Sequence, residues 1–81
     1  ENAVSLDEMH IARARREQAA LIRGEIPALT DYDDHRLHLA EHTRFMLGAD
    51  CRRLQAERPA LARAMAMHIS AHRALLDGAA G

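Results

Sequence analysis

Residues 31–47, DYDDHRLHLAEHTRFML, decide the fold. At 100° per residue the stretch forms one amphipathic helix, on which His35, His38 and His42 share a face with Leu39, Phe45 and Met46. Arg36, Glu41 and Arg44 take the opposite side. Residues 59–77 repeat the arrangement, with His68 and His72 inside an apolar stripe of Leu61, Met65, Ile69, Leu75 and Leu76. Histidines therefore stand where leucines are expected, on two helices whose apolar faces need a partner.

Upstream, Ser5-Leu6-Asp7-Glu8 has the form of a capping box and predicts a helix from about Ser5 to Arg23, stopped by Gly24. Its stripe is His10, Ile11, Ala14, Leu21 and Ile22, interrupted by Gln18. Arg13, Arg16 and Arg23 lie on the other side with Glu8 and Glu17 interspersed, the pattern of a solvated face. In the turn that follows, Pro27 keeps Ile26 out of helical geometry, and Ile26 and Leu29 are expected to anchor the connection to the core. Thr30, Asp31 or Asp33 is expected to cap the central helix, whose first turn gathers Asp31, Asp33 and Asp34 where the helix dipole favours negative charge. Gly48 ends that helix.

Asp50 is the expected cap of a short helix over 50–57. Pro59 suits the first turn of the last helix, which runs to about Asp77 and stops at Gly78. No strand pattern competes. The fold class is all-α, a small three-helix array with a short helical linker before the last helix, in one domain over residues 1–81. The chain starts without Met and ends in Gly78-Ala79-Ala80-Gly81, which reads as one domain excised from a longer polypeptide.

Composition limits both stability and function. With one Phe, one Tyr and no Trp, an 81-residue core rests on Leu, Ile, Met and Ala. Such a core supplies roughly 3–5 kcal/mol of net stability, so any tie between helices matters. Eleven Arg against twelve acids leave a net charge of −1, which gives no electrostatic case for direct DNA binding by the segment. No apolar run approaches the ~20 residues of a membrane span, and no signal peptide is visible. A single cysteine, Cys51, has no intrachain disulfide partner and points to a reduced, cytoplasmic chain; its neighbours Arg52 and Arg53 are expected to lower its thiol pKa. Met67 alone among the methionines falls on a polar face.

His38 and His42 are four residues apart, and so are His68 and His72, so each pair projects side by side from its helix. Two such pairs on facing helices present four nitrogens, the number a tetrahedral zinc site takes at ~2.0–2.1 Å, with His35 as a fifth. Asp31 or Asp34 then serves as ligand or as an outer acceptor that orients an imidazole. The same residues, His35, His38, His42, His68 and His72 with Asp34, equally make a metal-free structural network, or an interface. Zinc is thus permitted and no cofactor is required. A small core cannot leave five imidazoles unpaired, because each unsatisfied buried polar group costs about 1–3 kcal/mol. No HExxH motif is present, and no enzymatic activity is expected.

An ordered set of features from about Glu17 to Asp77 resembles the C-terminal region of tailed-bacteriophage portal proteins. It comprises a helix ending in Gly24-Glu25-Ile26-Pro27, an acid directly before a histidine in His-x-x-His-x-x-x-His (Asp34, His35, His38, His42), and a Pro-started helix with His68 and His72. Asp34, His35, Glu41, His42, His68 and His72 match that pattern. The chain is too short to hold the wing, stem and clip regions of a portal ring. The resemblance implies a structural domain of a homo-oligomeric ring at one capsid vertex of the virion, made in the bacterial cytoplasm, with packaging-motor and head-completion proteins as partners. A helical metal-binding module is the other reading. For that module zinc fits better than a hemerythrin-like di-iron site, since no carboxylate shares the face of His68 and His72 and such folds use four long helices.

Overall fold

A computed structural model describes residues 4–80. Residues 1–3 and Gly81, on which the expectation of a longer polypeptide partly rests, lie outside the described residues. The elements are α1 (Leu6–Ile22), α2 (His35–Met46), α3 (Ala49–Glu57) and α4 (Pro59–Ala80), with no strand among the described residues. Three long helices and a nine-residue connector make the all-α array that the hydrophobic periodicity implies.

Local chemistry sets most boundaries. Ser5 Oγ accepts from the Glu8 amide at 3.1 Å while Glu8 Oε1 accepts from the Ser5 amide at 3.2 Å, completing the capping box. At the other end of α1, Gly24 adopts φ 92°, a left-handed conformation that a side chain would strain. The Gly24 amide donates to Leu21 O at 2.8 Å and the Glu25 amide to Ala20 O at 2.9 Å, a Schellman closure that satisfies two orphan carbonyls. Arg58, pushed from helical geometry by Pro59, separates α3 from α4.

Three boundaries and one loop residue differ from the sequence reading. α2 begins at His35 rather than near Asp31, and its cap is Asp34, whose Oδ1 accepts from the Leu37 amide at 3.0 Å. Asp33 is drawn instead into a turn, where its Oδ2 accepts from the Thr30 amide at 3.0 Å and Arg13 lies 3.2 Å from its Oδ1. Gly48, not Asp50, occupies the N-cap of α3, because that helix starts directly after the reversal and leaves Asp50 in its first turn. Gly78 does not stop α4, which continues to Ala80; a single glycine costs about 1 kcal/mol in a helix, and good helix formers follow it. Ile26, expected as an anchor of the turn, is 61 % exposed, while Leu29 is half-buried.

α2 is the centre of the array, packed against both α1 and α4. The shortest dimension, 20 Å, corresponds to about two helix diameters. The apolar core is small: Leu21 from α1, Leu54 from α3, and Ala62, Met65 and Ile69 from α4, flanked by Leu39, Phe45 and Met46. Three of the six largest fully buried side chains are histidines, His38, His42 and His72. The other half of the interior is therefore made of imidazole.

Candidate metal centre

α1, α2 and α4 each contribute to that polar half. Along α1, Ala14, Glu17 and Leu21 are the buried positions, a three-then-four spacing that turns Glu17 inward. α2 presents His38 and His42 one turn apart, and α4 presents His68 and His72 in the same way.

Glu17 Oε1 is the focus. His42 Nε2 lies 3.1 Å from it, His38 Nδ1 3.3 Å and His68 Nε2 3.4 Å. His72 Nε2 is 3.1 Å from His68 Nε2, and its ring stacks on His38 with centroids 4.9 Å apart. One donor atom from each of Glu17, His38, His42 and His72 lies within 4.8 Å of all the others, and all four residues are buried. The second carboxylate oxygen of Glu17 faces Arg13 at 3.5 Å, so the acid joins the guanidinium on its outer side to the imidazoles on its inner side.

The outward nitrogens have partners of their own. His42 Nδ1 is 3.0 Å from Gln18 Oε1, and His72 Nδ1 is 2.9 Å from His35 Nδ1. His38 Nε2 faces Asp33 Oδ1 at 3.9 Å, beyond hydrogen-bond length, and neither ring nitrogen of this fully buried histidine makes a hydrogen bond. His10 adjoins the group at its edge, accepting from the Asp34 amide at 3.3 Å.

Electrostatics follow from this packing. Burial opposes ionisation of Glu17, but the nitrogens of His38, His42 and His68 outweigh it and hold the carboxyl well below the usual carboxylate range. Asp33 is lowered in the same way: burial opposes its charge, while the Thr30 amide and the charges of His38 and Arg13 favour it. His72 is pushed down from 6.5 to about 4, first by burial and then by the neighbouring charges of His68, His38, His42 and His35.

The structure thus brings His38, His42, His68 and His72 together, with half-buried His35 attached through His72. It does not bring in Asp34, which is occupied as the α2 cap, nor Asp31, which is exposed. Glu41, placed by periodicity on the solvent side, is buried but sits apart from the imidazoles, held by Arg15 at 3.2 Å and Arg44 at 3.4 Å.

Glu17, Gln18 and Asp33 are the residues that sequence reasoning missed. Glu17 reads as dilution of an arginine stripe, although its spacing from Ala14 and Leu21 was the available signal. A carboxylate does reach His68, supplied by α1 rather than by the histidines' own helix. Cys51 lies outside the centre, fully buried, with its thiol 3.5 Å from Met46 Sδ. Burial pushes that thiol pKa up, opposite to the lowering expected from Arg52 and Arg53, both of which are exposed.

Compared with protein families, curated proteins and solved structures, the chain gives no significant match in any of the three. No helix among the described residues is long and apolar enough to cross a membrane.

Proposed function

We propose that this chain is a non-enzymatic structural module serving assembly, of the kind implied by its resemblance to the C-terminal region of phage portal proteins. One observation carries the reading. Of the histidines in that pattern, His38, His42, His68 and His72 are buried where α1, α2 and α4 meet, and His35 is half-buried beside them. Residues so placed fix how helices sit on one another, which is the work of a scaffold. Glu17, His38, His42 and His72 line none of four surface cavities among the described residues, although His68 lines one of them and His10 and Asp33 line another beside the start of α1.

In this reading the parent protein forms a homo-oligomeric ring at a capsid vertex, and packaging-motor and head-completion proteins are its partners. The test is expression of the full reading frame that contains the segment, followed by mass photometry and electron microscopy. Closed rings with this domain at one end are the expected result. A parent that stays monomeric, or that lacks any ring-forming region, would overturn the assembly role.

A further inference from the structure

We propose that Glu17, His38, His42 and His72 bind one divalent transition-metal ion, and that the ion is zinc. This deepens the structural reading by naming what ties the three helices, but the ligand set stands or falls independently of any ring.

Three observations carry it. First, the His42 and His38 nitrogens lie 3.1 and 3.3 Å from Glu17 Oε1, near the edge length of a tetrahedral shell, which is about 3.3–3.4 Å for bonds of about 2.0–2.1 Å, and a His72 nitrogen lies within 4.8 Å of all three donors. Hydrogen bonds have similar lengths, so spacing alone does not decide. Second, the protons do not suffice. Three imidazole nitrogens converge on one carboxylate oxygen that offers two lone pairs, and His38, with no exposed surface, is left without a hydrogen bond at either nitrogen. A cation bound by Glu17, His38, His42 and His72 satisfies their inward lone pairs and leaves His68 free to donate its Nε2–H to the carboxylate.

Third, the outer contacts have the pattern of metal-bound histidines, which donate their second ring N–H to an acceptor that fixes the tautomer. With the inward nitrogens deprotonated, His42 Nδ1–H donates to Gln18 Oε1 and His72 Nδ1–H to His35 Nδ1, while His38 Nε2–H points toward Asp33 Oδ1. Arg13 holds both Glu17 and Asp33 from outside. His68, 3.1 Å from His72 and 3.4 Å from Glu17, stands at the edge of the set as a fifth nitrogen. Three imidazoles and one carboxylate, buried and without thiolate, form a donor set suited to zinc.

The test is a zinc titration of the chelator-stripped 81-residue chain, with a competing chromophoric chelator to fix the affinity and circular dichroism to follow melting. One zinc per chain is expected, together with a rise in melting temperature on zinc addition that EDTA reverses. Glu17→Gln and His72→Gln should each weaken binding by at least about 100-fold, the upper end of what loss of an outer-shell partner costs. His10→Gln, outside the donor set, should leave the affinity within about threefold of the unaltered chain. Absence of zinc uptake by the folded, unaltered chain would overturn the proposal. So would zinc binding unchanged in both ligand variants. Should either variant fail to fold, the cobalt(II) spectrum of the unaltered chain still decides: intense d–d bands of a four- or five-coordinate ion support the site, and the weak bands of hydrated cobalt overturn it. Failure here would leave ring formation by the parent protein untouched.

Discussion

Acidification of the metal-free protein is the perturbation whose size follows most directly from the buried histidines. His72 titrates at about 4 in the fold against 6.5 in the open chain. Between those values the unfolded state binds the proton and the folded state refuses it. The stabilisation is complete above about pH 6.5 and falls as pH drops toward 4. The difference from 6.5 to about 4 corresponds to about 3.5 kcal/mol at roughly 1.4 kcal/mol per pH unit. That loss is comparable with the roughly 3–5 kcal/mol of net stability expected at this size. Glu17 adds a second window at lower pH: its carboxyl is depressed, so its contribution is present above the ordinary carboxylate pKa and disappears as pH falls below it.

The groups nearest His72 are the bases His35, His38, His42 and His68; the Glu17 carboxylate also lies within 4.8 Å, but its Oε1 is engaged by His38, His42 and His68. Urea melts in EDTA, followed by circular dichroism at pH 7.5, 6.5, 5.5 and 4.5, measure the effect. Stability should hold between the first two and then fall by about 1.4 kcal/mol per pH unit for one proton. His72→Phe should flatten the slope between pH 6.5 and 4.5. Equal stability at pH 7.5 and 4.5, or an unchanged slope in His72→Phe, would refute the reasoning.

Other outcomes are simpler to obtain. Met65 is fully buried in the small apolar core, so Met65→Ala should cost about 2–5 kcal/mol and leave the metal-free chain largely unfolded at 37 °C, as seen by far-ultraviolet circular dichroism. Ser5→Ala removes one half of the capping box and should lower stability by about 1 kcal/mol in the same urea melts. Cys51 is buried and its thiol pKa is raised, so a maleimide should label it in native buffer no faster than the domain unfolds. Labelling as fast as that of free cysteine would contradict the placement.

Local rules made much of the fold legible. The capping box at Ser5 and Glu8, the breaks at Gly24 and Gly48 and the start at Pro59 each depend on a few neighbouring residues. His42, His68 and His72 were legible as interior because they recur on apolar stripes at helical spacing. Glu17 was not, since charge next to arginines reads as solvent-facing until α2 and α4 supply imidazoles for it to meet. The cap of α2 was equally hidden, since Thr30, Asp31 and Asp33 were the candidates and Asp34 took the place. Asp is a good cap at any of these positions, and the decision came from Arg13 and the Thr30 amide, which draw Asp33 into a turn and leave Asp34 to open α2. Both failures share a cause: a partner on another helix, imidazoles of α2 and α4 for Glu17 and Arg13 of α1 for Asp33.

The central claim is that one carboxylate and the imidazoles of two other helices converge on a single metal ion. X-ray absorption at the zinc edge, on protein purified without chelator, tests it most directly. The account predicts one zinc per chain, with nitrogen and oxygen donors at about 2.0–2.1 Å and the outer-shell scattering of about three imidazoles. A chain that carries no zinc and takes up none, or a zinc ion surrounded by water oxygens alone, would contradict it.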